Sequence, residues 1–244
     1  MLHVEREGAV VHLTIDRQAK RNAVDHGTLA AMGDALDHAV ATGARAVVLS
    51  GAGGNFSAGA DLSGVEDSSF LDALRRVLSL LSEAPLVTIA AVEGAALGAG
   101  TQLASFCDLR VATPTARFGI PAAKLGIVVD QATVARVVEL AGSGTARAML
   151  LAAETVDGTA AHALGMVHRI GSLEDALAWA AEIALLAPLT VAAHKLALRA
   201  VSASIRGASD AEARAAFHHA WASEDLQEGR TAFLQRRPPV FRGK

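Results

Sequence analysis

The sequence predicts a single α/β domain, in which alternating strands and helices build a mostly parallel core that runs into a helical C-terminal part. Three observations carry this. Apolar residues switch between period two and period three to four through the first half of the chain. Two of the strand-like runs empty into glycine-rich loops. From Gln131 onward nearly every apolar pattern is helical, and no stretch rich in Pro, Gly or Ser separates the halves.

The elements follow in order. Val11, Leu13 and Ile15 alternate with His12 and Thr14, as in a half-buried strand. The polar, basic run Asp16 to Asn22 comes next. Leu29, Met32, Leu36 and Val40 then recur at helical spacing. Ala46 to Leu49 reads as a buried strand, and Phe70, Leu74, Val77, Leu78 and Leu81 as a second amphipathic helix stopped by Pro85. Leu86 to Val92 is a third strand, and a helix begins near Ala99. In the second half, helices are expected over 131–141, 144–154, 158–164, 173–186, 190–202, 209–222 and 224–236, with only Met166 to Ile170 strand-like. Residues 1–190 are expected to form the core, and 191–244 a helical region of the same continuous domain. So apolar a tail implies packing on neighbouring subunits, hence an oligomer.

Composition narrows the function classes. Hydrophobic residues are 52% and charged residues 19%, which fits a packed core and not a disordered chain. With 22 basic and 25 acidic residues the chain lacks the basic excess of a nucleic-acid binder. One cysteine, Cys107, leaves no internal disulfide and no cysteine-rich zinc site, and points to a reducing, cytoplasmic setting. The nine histidines show no metal spacing; His218 and His219 are adjacent and cannot share one helical face. No apolar run approaches the ~20 residues of a membrane span, and charges interrupt the N-terminus where a signal peptide would be apolar. A soluble protein is expected.

Two loops can do chemistry. Gly51 to Asp61 follows a strand and is built of very small residues, which let a ligand approach backbone N–H groups. It also reads as a plain strand-to-helix connection. It is not a dinucleotide fingerprint, because Phe56 holds the third glycine position, and it is one residue too long for a nucleophile elbow around Ser57. The second loop, Gly94 to Leu103, opens a helix whose N-terminal N–H groups suit an oxygen gaining negative charge. Two such loops after parallel strands reach the same sheet edge, where backbone alone can form an oxyanion hole.

The runs FSAGADL at 56–62, GAALGAG at 94–100 and CDLRVA at 107–112 resemble the crotonase (enoyl-CoA hydratase/isomerase) superfamily. Asp16-Arg17 through Asn22-Ala23-Val24 is similar to its early CoA-binding segment, Ala148 to Ile170 to its helix-helix-strand passage, and Glu228 to Phe233 to its C-terminal signature. The resemblance implies a crotonase-like α/β spiral of ββα turns with a helical C-terminal region, assembled as a homotrimer or dimer of trimers. It implies an acyl-CoA thioester as ligand, with coenzyme A as part of the substrate and no separate cofactor. Its carbonyl would be held by the N–H groups of Ala60 and of Ala99, beside Gly98. Ala99 stands where relatives more often have glycine, yet it keeps the N–H. Ala58 matches the residue whose carbonyl meets the adenine. Lys20 and Arg21 fall near the phosphates, though a solvated basic face explains them equally. Phe233 matches a residue that reaches a neighbouring subunit's CoA, and Asp61 falls behind the oxyanion loop.

The departures concern proton transfer. Hydratases of this family use two glutamates, and the matching positions here hold Gln102 and Ala122. An amide holds water but exchanges no proton near neutral pH, and a methyl does neither. Each lost acid or base costs roughly 10²–10⁴ in rate. Asp130 is placed like an aspartate used by dienoyl-CoA isomerases and the chlorobenzoyl-CoA dehalogenase, although Ala122 replaces the dehalogenase's tryptophan. Asp130 also precedes a helical run, where aspartate is a preferred N-cap; the two roles are compatible. The expected function is acyl-CoA binding in fatty acid metabolism, nominally as an enoyl-CoA hydratase, with hydration itself impaired. A non-catalytic acyl-CoA carrier and an Asp130-dependent enoyl- or dienoyl-CoA isomerase remain the alternatives.

Overall fold

The computed structural model describes residues 1–62, 68–206, 217–218 and 221–242. Its main sheet has six strands in the order β1-β2-β3-β4-β6-β9. These are β1 (Leu2–Glu7), β2 (Val10–Ile15), β3 (Ala46–Gly51), β4 (Val87–Val92), β6 (Leu109–Ala112) and β9 (Arg169–Ile170). Only β1 runs antiparallel, pairing Val4 with Leu13 and His3 with Thr14. A second sheet joins three short strands in the order β5 (Ala95–Leu97), β7 (Arg117–Gly119) and β8 (Thr155–Asp157).

Both faces of the central strands are covered, which is why Ala46 to Leu49 reads as a continuous apolar run. On one face Val48, Ile89 and Val111 pack with Ala176, Ala180 and Ile183 of α6 (Leu173–Ala184). On the other, Leu13, Ile15, Val47 and Leu49 meet α1 (His26–Ala41), α2 (Ser68–Glu83) and α3 (Ala99–Phe106) through Leu29, Leu36, Leu81 and Leu103. Helix α1 starts where Asp25 accepts a hydrogen bond from the Thr28 N–H. Trp221 packs on this second core from far downstream.

The later helices are α4 (Gln131–Leu151), α5 (Gly158–Ala163), α7 (Pro188–Arg206) and α8 (Glu224–Leu234). The two helices expected over 131–141 and 144–154 are consecutive parts of α4, broken at Gly142, whose φ is +75°. The second part ends at Leu151. The helix expected over 209–222 falls largely outside the described residues. The strand expected from Met166 is confined to Arg169–Ile170; the Val167 N–H donates to the Ala161 carbonyl of α5 instead of to a neighbouring strand. Among the described residues no single helix is long and apolar enough to cross a membrane; α6 and α7 pass that test only as a pair bent by 109°.

Candidate active site

Strand β3 and strand β4 both lead into the same edge, where their following loops are laced together. Ser57 N–H donates to the Ala95 carbonyl at 2.8 Å, and Leu97 N–H to the Ser57 carbonyl at 2.9 Å. Ser57 Oγ accepts the Gly59 N–H at 3.2 Å, so this serine braces the loop. Val24 then pairs with the next segment, its N–H donating to the Gly59 carbonyl and its carbonyl accepting the Asp61 N–H, each at 2.8 Å. That parallel bridge spans Ala60. By strand geometry the Ala60 N–H therefore points the opposite way, and it donates to no group among the described residues. Ala99 is the first residue of α3, whose N-cap Gly98 makes no side-chain cap. Its N–H is one of the orphan donors of a helix start.

Gly59 brings these amides together. Its φ is +109°, and a Cβ built on it would lie 2.9 Å from the Leu97 carbonyl oxygen and 3.7 Å from the Ala99 nitrogen. Only a residue without a side chain lets the loops approach so closely. Ala60 and Ala99 both line a cavity of about 810 Å³.

That cavity gathers the residues that the resemblance assigns to ligand binding and catalysis. Lys20, Arg21, Ala58, Ala60, Gly98, Ala99, Gln102, Ala122, Asp130 and Phe233 all line it. The cations among its lining residues are exposed, while Phe70, Leu74 and Leu78 of α2 are buried. The result is a basic mouth and an apolar interior. Lys20 is 3.6 Å from Asp61, which Arg17 also holds at 3.0 Å; the acid is thus an anchor for the basic segment.

The positions that the sequence resemblance assigns to proton transfer have definite partners. Gln102 Nε2 donates to Thr133 Oγ1 at 2.7 Å, a bond between two buried residues that ties α3 to α4. Thr133 N–H donates in turn to Asp130 Oδ1 at 2.9 Å. Asp130 is therefore the N-cap of α4 and a cavity residue at once. Asp61 and Asp130 are the only carboxylates among the described lining residues, which include no histidine, glutamate or cysteine.

The run at 107–112 is a packing node. Lys195 donates to Asp108 at 2.7 Å and to the carbonyls of Leu81 and Leu86. Asp108 also accepts from the N–H and hydroxyl of Thr88. Arg110 is buried and donates to carbonyls of Ala104, Cys107 and Met166; burial lowers its pKa to about 10. Burial also raises the Cys107 thiol to about 12, far from a reactive thiolate.

The C-terminal signature packs against the loop that follows β7. A Cβ on Gly229 would meet the Leu125 carbonyl oxygen at 2.1 Å, so α8 lies directly on the Pro121–Leu125 turn. Phe233, 57% exposed, stands at the rim of its own chain's cavity. Sequence reasoning missed Phe217 and Trp221, which also line the cavity. The Phe70–Leu74–Leu78 stripe, expected only as the apolar side of an amphipathic helix, also walls the site.

A spiral of parallel strands with two amide-bearing loops at one edge is the crotonase fold, and known proteins bear this out. The structure superposes on methylmalonyl-CoA decarboxylase in complex with 2-nitronate-propionyl-CoA with a TM-score of 0.90, at 25% identity, covering 100% of this chain and 98% of that one. An enoyl-CoA hydratase/isomerase from Pseudoalteromonas atlantica gives 0.89 at 30% identity, covering 99% of each. The model of the enoyl-CoA hydratase/isomerase family matches residues 5–244, and the chain belongs to that family. The probable enoyl-CoA hydratase echA6 of Mycobacterium tuberculosis is 40% identical over 244 residues, the full length of both. The 2,3-dehydroadipyl-CoA hydratase of Escherichia coli is 35% identical over 252 residues, covering 100% of this chain and 99% of the relative.

Proposed function

We propose that this protein binds an acyl-CoA thioester and polarises its carbonyl without being an efficient enoyl-CoA hydratase. The observation that carries the reading is the pairing of two undonated amides, Ala60 and Ala99, with proton-transfer positions held by Gln102 and Ala122. Coenzyme A would lie across the basic mouth at Lys20 and Arg21, its adenine at the Ala58 carbonyl, with the acyl group directed inward. Phe233 would serve a neighbouring subunit's CoA in a homotrimer or dimer of trimers, in the cytoplasm. The methylmalonyl-CoA decarboxylase complex supports a CoA ligand in this fold.

The chemistry follows from donors without acids. Two preorganised N–H groups stabilise the negative charge of an enolate oxygen, each worth roughly 10²–10³ in rate where a reaction uses it. Hydration also needs a base to take a proton from water and an acid to protonate carbon. Gln102 donates one of its two amide hydrogens to Thr133 and has no proton to exchange near neutral pH, and Ala122 offers only a methyl. A carrier of activated acyl groups needs nothing more than this.

The placement of Asp130 favours one second reading. A single carboxylate can take a proton from one carbon of a polarised acyl group and return it to another, which moves a double bond without a second acid. The test of both is calorimetry with a saturated acyl-CoA beside turnover assays with enoyl- and dienoyl-CoA. Tight binding with no hydration is the expected result. Hydration near the enzyme median of ~10 per second would overturn it.

A further inference from the structure

The part of the cavity beyond the two amides is walled by a residue far downstream of the glycine loops. Trp221 lines it beside Val128, Val129 and Asp130. Its Nε1–H donates to the Val128 carbonyl at 2.9 Å. That is the only polar atom an indole has, so the bond fixes the ring's orientation. The Phe217 ring lies 6.0 Å away, its plane inclined by 36°. The half-buried indole is therefore a rigid apolar surface, tied to the segment that delivers Asp130.

Charge around this wall is one-sided. Every cation among the described lining residues, Arg75 and Arg236 included, is exposed. A carboxylate at the far end of an acyl group would lose water here beside Asp130, with no buried cation among the described lining residues to pair with it. Burying a charge in that way is strongly unfavourable.

We infer that Trp221 determines which acyl group this site accepts, and that the group is an uncharged hydrocarbon chain bounded by the indole. The inference rests on the acyl-CoA reading above. The segment contributing this wall lies outside the motifs that build the amides, so acyl selectivity is set separately from carbonyl polarisation.

Calorimetry on the full chain with butyryl-, decanoyl- and adipyl-CoA, and with CoA alone, tests it. Wild type is expected to bind decanoyl-CoA at least about tenfold more tightly than adipyl-CoA, the scale of hydrophobic-pocket discrimination. Trp221→Ala should raise the decanoyl-to-butyryl affinity ratio by about tenfold. Trp221→Phe, which keeps a ring and loses the donor, should change it less. A second measurement does not depend on Trp221→Ala folding. The chain has two tryptophans, and Trp179 is occupied by the Arg169 guanidinium 3.9 Å over its ring. In Trp179→Phe, the emission of Trp221 should shift on saturation with decanoyl-CoA and stay unchanged with CoA alone. Adipyl-CoA binding as tight as decanoyl-CoA overturns the inference. So does an unchanged ratio in folded Trp221→Ala, or unmoved emission at calorimetric saturation. Wild type that binds no thioester at all overturns the acyl-CoA reading instead.

Discussion

Residues 58–61 and 97–99 line the cavity from loops whose backbone is held by hydrogen bonds to Val24, Ser57 and Gly119; a second wall comes from residues 120–130 and from Phe217, Trp221 and Phe233. The first wall has little freedom to vary, because its donors exist only while the loops keep their spacing. The second can exchange one side chain for another without disturbing a strand. Gln102, although on α3, belongs with the second wall, since its amide reaches across to Thr133. On the proposed reading, carbonyl binding belongs to the first wall and proton transfer to the second, so one can be changed without the other.

The strongest way to break this comparison is to restore the acids. If the side-chain wall alone limits hydration, Gln102→Glu combined with Ala122→Glu should raise hydration of a short enoyl-CoA by about 10²–10⁴. A glutamate at position 102 still suits Thr133, whose hydroxyl can rotate to donate to a carboxylate. Steady-state hydration assays measure the gain. An unchanged rate with intact acyl-CoA binding would mean that the defect lies elsewhere.

The backbone wall should respond in the opposite sense. Gly59→Ala places a methyl 2.9 Å from the Leu97 carbonyl at a φ of +109°. Strain of this kind costs about 1–3 kcal/mol, and relieving it must separate the loops that carry Ala60 and Ala99. Thermal unfolding should fall accordingly, and calorimetry should show acyl-CoA affinity largely lost.

These two walls were also unequally legible. The glycine loops announce themselves because small residues at a strand end have few other uses, and the central strands carry clean apolar runs. Edge strand β1 does not, since its side chains are almost all solvated and LHVERE shows no buried alternation. Strands β5, β7 and β8 are three residues each, too short for a period to register. Trp221 joins the site through a contact with Val128, 93 residues away, and nothing local marks it. The Gln102–Thr133 bond, across 31 residues, is hidden for the same reason, although both residues lie in otherwise readable helices.

A smaller effect sharpens the account of Gln102. Gln102→Leu keeps most of the volume and removes the donor to Thr133, whose hydroxyl is buried. The loss should cost about 1 kcal/mol in stability by chemical denaturation. Acyl-CoA affinity should survive, because no amide of the backbone wall depends on this bond.

The smallest expected change in stability carries the most information about mechanism. Asp130 caps α4 by accepting the Thr133 N–H through Oδ1, and asparagine offers an equivalent carbonyl oxygen. Asp130→Asn should therefore shift unfolding by no more than about 0.5 kcal/mol and leave acyl-CoA binding intact. What it removes is the ability to take and return a proton. Conversion of an unconjugated dienoyl-CoA, compared at equal occupancy, then separates the two readings of the site. Turnover present in wild type and absent in the variant would make Asp130 a proton carrier as well as a cap. With no turnover in either protein and equal binding in both, the carboxylate only holds the helix. The cavity is then a thioester-binding site, its polarising amides intact and its acids replaced.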